Sequence, residues 1–104
     1  MEISLANQVA LITGSSSGIG AGIAKSMAES GATVIINYPY DGALSDAEGV
    51  LKEITDIGGK GMVCKCDVSK EDEVIKMFDD VVSAYGTVDI LVNNAGIQKD
   101  SKFE

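Results

Sequence analysis

The stretch TGSSSGIG, Thr13 to Gly20, has the residue types and spacing to hold a phosphate. It follows an apolar run and leads into a helical one, so backbone N–H groups and the positive end of a helix dipole can face one ligand there. Side chains would block that approach. Gly14 suits the tight turn, Gly18 lets a pyrophosphate come close, and Gly20 lets the helix lie against a sheet. The spacing is Gly-x3-Gly-x-Gly and not the usual Gly-x-Gly-x2-Gly of dinucleotide folds. A tight strand-to-helix turn with polar filler satisfies the same pattern.

Metal chemistry finds no ligand set. There is no histidine, and Cys64 and Cys66 are the two cysteines. They lie two apart in GMVCKCDV, which reads as strand, so they share a face as small buried residues of a reducing compartment.

The elements that must position the loop are legible as a change of period. VALI (Val9 to Ile12), TVIIN (Thr33 to Asn37), GMVC (Gly61 to Cys64) and DILVN (Asp89 to Asn93) are short, continuous apolar runs, as in strands covered on both faces. Between them, a first helix from about Gly18 to Ser30 carries Ile19, Ile23, Met27 and Ala28 on one side. Ala47, Val50, Leu51 and Ile54 mark a second helix, stopped by Gly58 and Gly59. Val74, Met77, Phe78, Val81, Val82 and Tyr85 mark a third, with SKED (Ser69 to Asp72) as a capping box before it. Strand and helix alternate with short connections. That predicts right-handed crossovers and an α/β, Rossmann-like, doubly wound parallel sheet of four strands and three helices.

One domain is the most that 104 residues can form. Hydrophobic residues at 45% and charged ones at 23% fit a globular protein and not a disordered one. The net charge of −8 opposes nucleic acid and anionic membrane, which need clustered cations. The start lacks a basic segment before its apolar run, and no run approaches the ~18 residues of a membrane span, so a cytoplasmic location is expected.

TGSSSGIG, then CDV (Cys66 to Val68) after the third strand, then NNAG (Asn93 to Gly96) after the fourth, together resemble the short-chain dehydrogenase/reductase family. VIINYPYD and GGKGMVCKCDV look most like its glucose dehydrogenase and ketoacyl reductase branch. The resemblance spans essentially the whole chain but only the N-terminal part of a family member. It implies a sheet order of 3-2-1-4. It also implies that Gly14, Ser16, Gly18, Ile19 and Gly20 hold the cofactor phosphates, that Asp67 accepts from the adenine amino group, and that the Val68 backbone completes the adenine edge. Asn93 to Gly96 would support the sheet and let the cofactor ribose pass close to Ala95 and Gly96. Asp67 could instead be a turn residue, and the asparagines could tie down backbone.

The end of the second strand chooses between NAD and NADP, because a carboxylate there takes the ribose hydroxyls and a cation takes a 2′-phosphate. Tyr38 stands where the family's acid is usually found, and no base stands beside it in the sequence. Ser17 fills a loop position that is basic in many NADP enzymes. Both cofactors are therefore expected, with Asn37 and Ser17 as polar contacts. A preference above about a hundredfold, roughly 2.7 kcal/mol, would mean that a charge contact had been missed.

Hydride transfer in this family relies on Tyr-x-x-x-Lys with a serine and an asparagine. Four residues after Tyr38, Tyr40 and Tyr85 come Gly42, Leu44 and Asp89, so no tyrosine has its lysine. The resemblance implies an NAD(P)-dependent oxidoreductase acting on an alcohol or carbonyl, with a sugar such as glucose as one candidate. Residues 1–104 are expected to be its cofactor-binding part, truncated before the catalytic part. The alternatives are an inactive dinucleotide-binding module and an interaction piece whose sheet edge a partner fills. The apolar fourth strand on that edge leads us to expect a homo-oligomer or an aggregating, marginally folded chain.

Overall fold

The computed structural model describes residues 4–95. In chain order these form β1 (Val9–Ile12), α1 (Gly18–Glu29), β2 (Thr33–Tyr38), a 3-10 turn (Asp41–Ala43), α2 (Leu44–Asp56), β3 (Lys60–Lys65), α3 (Glu71–Tyr85) and β4 (Ile90–Val92). The four strands make one parallel sheet in the order β3-β2-β1-β4. This is the doubly wound arrangement that the alternation of periods predicts.

Successive strand residues face opposite sides, and the core accordingly divides in two. Ala10, Ile12, Val34 and Ile36 face α1 and α2, whereas Val9, Leu11 and Ile35 face α3 together with Cys64, Cys66, Met77 and Val81. β1 is buried along its whole length, which is why it is apolar at every position. Both cysteines are unpaired and buried, and burial pushes the Cys66 thiol up to about 11, leaving it an inert thiol at neutral pH.

Three sequence expectations are corrected here. On α1, Ile23, Met27 and Ala28 pack against the core as expected, but Ile19 is 67% exposed, and the residues buried deepest besides Ala28 are Gly20, Ala21 and Ala24. Small side chains let the helix approach the sheet closely, and a row of larger residues would hold it off. On α3, Met77 and Val81 are buried, but Val82 and Tyr85 lie in solvent. The capping box does not form. Lys70 is the N-cap of α3 and makes no side-chain capping bond, because the hydroxyl of Ser69 is taken by Asp67 Oδ1 at 2.6 Å. Glu73 reaches back instead, accepting from the N–H of Asp67 at 2.9 Å.

The stop signals fall where expected. Gly58 (φ 86°) and Gly59 return their N–H groups to the carbonyls of Thr55 and Ile54 at 3.0 and 2.9 Å, closing α2. Gly86 (φ 85°) does the same for α3. β4 is shorter than its apolar run, and Leu91 at its centre is 55% exposed. Among the described residues, no helix is long and apolar enough to cross a membrane.

Candidate functional site: the loop at the carboxyl ends of the strands

Residues 13–17 run from the end of β1 to the start of α1, and their geometry is set by strands on either side. The N–H of Gly14, at φ 61°, donates to Asn37 Oδ1 at 2.9 Å, and its carbonyl accepts from Asn94 Nδ2 at 3.1 Å. The N–H of Ser15 donates to the Asn37 carbonyl at 3.0 Å. Its buried hydroxyl donates to the carbonyl of Ile12 at 2.7 Å and accepts from the N–H of Asn37 at 3.0 Å. Thr13 Oγ1 accepts from the N–H of Ala95 at 3.0 Å. The loop is thus fixed before any ligand arrives, and its conformational entropy is already spent.

Ser16 is buried, whereas Ser17, Gly18 and Ile19 are exposed at the start of α1. Ser17 is the N-cap in an extended conformation (φ −158°, ψ 171°), and its side chain makes no capping bond. The first N–H groups of a helix have no partner within the helix. No acidic residue stands in the first turn of α1, while Asp46 stands in that of α2 and Glu71, Asp72 and Glu73 in that of α3. Uncapped donors and an unneutralised dipole at a glycine-lined opening favour an anion.

Asn37 differs from its expected role as a direct cofactor contact. It is 1% exposed. Its Nδ2 donates toward the carbonyls of Cys66, Cys64 and Tyr38 at 3.1, 3.2 and 3.4 Å, while Oδ1 holds Gly14. The amide is consumed by backbone groups and fixes the loop and the end of β3. Tyr38 is also buried, in the cluster with Ala43 and Ala47. Asp67 is half-buried, and its Oδ1 accepts from the N–H of Ser69 at 3.0 Å as well as from the Ser69 hydroxyl, as a turn-forming aspartate does.

Val68, Asn93 and Thr13 line one groove of about 190 Å³ with Val74, Phe78 and Leu91 among its other walls. Asn93 is exposed, with Oδ1 3.4 Å from Thr13 Oγ1, and Ala95 is half-buried. Gly96 lies outside the described residues. Asn94 is 1% exposed and braces the loop through Gly14, the backbone-tying alternative for the asparagines of this segment. Its Oδ1 is buried without a partner among the described residues. The signal was present in NNAG, but sequence spacing does not say which asparagine turns inward.

A family model described as short chain dehydrogenase matches residues 8–104. The chain is 47% identical over 95 residues to 3-oxoacyl-(acyl-carrier-protein) reductase FabG of Staphylococcus epidermidis, covering 91% of this chain and 38% of that protein. It is 40% identical over 95 residues to a hydroxynaphthalene reductase-like protein of Metarhizium guizhouense, covering 91% of this chain and 35% of that one. Among solved structures, a putative dehydrogenase from Burkholderia cenocepacia with bound NADP superposes with a TM-score of 0.81 at 30% identity, over 89% of this chain and 36% of that one. The chain spans well under half the length of the relatives it matches.

Proposed function

The chain belongs to the short-chain dehydrogenase family, and on that premise we propose that it forms the cofactor-binding part of an NAD(P)-dependent oxidoreductase acting on an alcohol or carbonyl compound. The observation that carries this reading is the prebuilt loop from Thr13 to Ser17, opening on an α1 N-terminus with no acid in its first turn.

The residues present fit a dinucleotide. Gly14 and Gly18, both at φ 61°, keep Cβ atoms out of the approach path, and exposed backbone at Gly18 and Ile19 supplies donors for the pyrophosphate. In this reading Gly14, Ser16, Ser17, Gly18, Ile19 and Gly20 form the phosphate site. Asp67 and Val68 meet adenine, and Asn93, Ala95 and Gly96 flank the ribose nearer the nicotinamide. Asn37 and Asn94 hold that surface in place from beneath. The bound nicotinamide supplies the hydride donor or acceptor, and the chain's own residues orient it.

The substrate class follows from the family alone. Relatives are named for oxoacyl and hydroxynaphthalene compounds, so a sugar such as glucose rests only on VIINYPYD and GGKGMVCKCDV. A second reading, a dinucleotide-binding module without chemistry, holds if the natural polypeptide carries no Tyr-x-x-x-Lys pair, and the sequence of that polypeptide separates the two.

Titration of NADH and NADPH fluorescence with the longest natural chain carrying these residues tests the reading. Saturable binding that excess unlabelled dinucleotide reverses is expected, and no saturable binding of either cofactor would reject it. Self-association belongs to the same reading, since β4 is an edge strand with Leu91 outward. Sedimentation of residues 1–104 should show concentration-dependent mass, and a cooperatively folded monomer at all concentrations would remove this element.

A further inference from the structure

An ion pair at the C-terminal ends of β2 and β3 has no part in the site described above. Tyr38 and Lys65 are the last register pair of the β2–β3 ladder. Across that end, Lys65 Nζ lies 3.0 Å from Oδ1 of Asp41, the first residue of the 3-10 turn that follows β2. Both side chains are open to solvent, at 47% and 89% exposure. The hydrogen bond it donates to Asp41, and then the Asp41 charge, hold the Lys65 pKa above its ordinary value, so the ammonium is fully cationic at neutral pH.

The chain has no arginine. Lys25, Lys52 and Lys76 lie on helices with their own carboxylates, Lys60 is at the opposite end of β3, and Lys70 is beside Glu73 on α3. Among the described residues, Lys65 is therefore the cation placed against the end of β2. In dinucleotide folds that strand end meets the ribose whose 2′ position distinguishes the two cofactors. Read along the sequence, Tyr38 has no base beside it. The sheet puts one directly across.

Resting on the dinucleotide reading above, we propose that Lys65 is the contact for the 2′-phosphate of NADP, with Asp41 as its resting partner. NADP draws the ammonium from Asp41 to the phosphate, and NAD leaves the pair as it stands. An ion pair this exposed holds little free energy, whereas a phosphate forms stronger charge-assisted hydrogen bonds, so the exchange favours the phosphorylated cofactor. The Asp41 carboxylate left nearby repels that phosphate and limits the gain. Use of both cofactors follows from an exchangeable cation, without Asn37.

The test compares NADH and NADPH affinities in the longest natural chain and its variants. Lys65→Gln should weaken NADPH by roughly tenfold and leave NADH within about twofold. Asp41→Asn should tighten NADPH by about threefold or more with NADH unchanged, and Lys65→Arg should preserve NADPH binding. Added salt should erode the NADPH affinity of the parent more than that of Lys65→Gln. Retained NADH binding in each variant shows that the fold is intact. If both cofactors respond equally, or neither responds, Lys65 is not the contact although the dinucleotide site stands. If the parent binds neither cofactor, the dinucleotide reading fails and this inference with it.

Discussion

Gly20→Val should abolish dinucleotide binding, and Gly20→Ala should weaken it by more than about tenfold while lowering the unfolding midpoint. A Cβ at Gly20 would sit 2.4 Å from the Gly14 carbonyl oxygen, 2.5 Å from Asn94 Nδ2 and 2.9 Å from Ser15 Cα. Two of these are backbone atoms of the loop itself, and the third belongs to the amide that braces it. No flexible side-chain end is available to yield. The new atom must push α1 away or break the bond from Asn94 Nδ2 to the Gly14 carbonyl. Asn94 Oδ1 already lacks a partner among the described residues, so the second course leaves Nδ2 of the same buried amide without its bond as well. Overpacking costs about 1–3 kcal/mol and an unpaired buried polar group about as much again.

Two comparisons isolate the cause. A Cβ at Gly22, on the exposed side of the same helix, meets nothing within 4 Å. Gly22→Ala should therefore bind normally and gain up to about 1 kcal/mol of stability. Gly18→Val places a branched residue at φ 61° on an exposed turn at the entrance, and should remove binding with a smaller loss of stability than Gly20→Val. Calorimetric titration with NADH, paired with thermal unfolding of each variant, separates the two effects. Affinity within tenfold of the parent in both Gly18→Val and Gly20→Val would reject the phosphate-loop assignment.

The same residues show where sequence reading reaches its limit. Alternating periods, Gly58, Gly59 and Gly86 are local signals, and they fix elements and stops that the fold keeps. Strand order was open to family resemblance and not to periodicity. On α1 the expected Ile23, Met27 and Ala28 do meet the core, whereas Ile19 does not and Ala24 does, because close packing against a sheet selects for smallness and hydrophobicity ranks Ile19 higher. Asn37, Asn94 and Lys65 share a different difficulty. Their partners Gly14, Cys66 and Asp41 lie 23 or more residues away and are brought together only by strand register. A polar residue at a strand end looks the same in sequence whether it turns inward to backbone, as Asn37 does, or outward to solvent, as Lys65 does.

Binding and chemistry should separate in a polypeptide of residues 1–104. It is expected to bind NAD(H) or NADP(H) weakly and to turn over no alcohol or carbonyl substrate, whereas a longer chain continuing these residues with a family-type Tyr-x-x-x-Lys segment should be active. On the proposed reading, the groups at the site are backbone donors at Gly18 and Ile19, a helix dipole, Asp67, and the braces Asn37 and Asn94. All of them act on the cofactor in its ground state as strongly as in the transition state, which gives affinity without rate. Moving the substrate proton needs a positioned acid or base, a contribution of about 10²–10⁴-fold. The tyrosines do not offer one. Tyr38 is buried, Tyr40 is 63% exposed after β2, and Tyr85 ends α3, with Gly42, Leu44 and Asp89 where a lysine is needed. Lys65, among the described residues the lysine that pairs with a tyrosine across the sheet, is engaged by Asp41. The two thiols are buried, and burial pushes Cys64 up as well as Cys66, so neither supplies a base near neutrality. The measurement is the absorbance of reduced cofactor with a panel of secondary alcohols and sugars, run on the purified 104-residue polypeptide and on the longer chain. Steady NADH or NADPH production by the shorter one, with contaminating dehydrogenase excluded, would place a catalytic acid or base within residues 1–104 and reverse that separation.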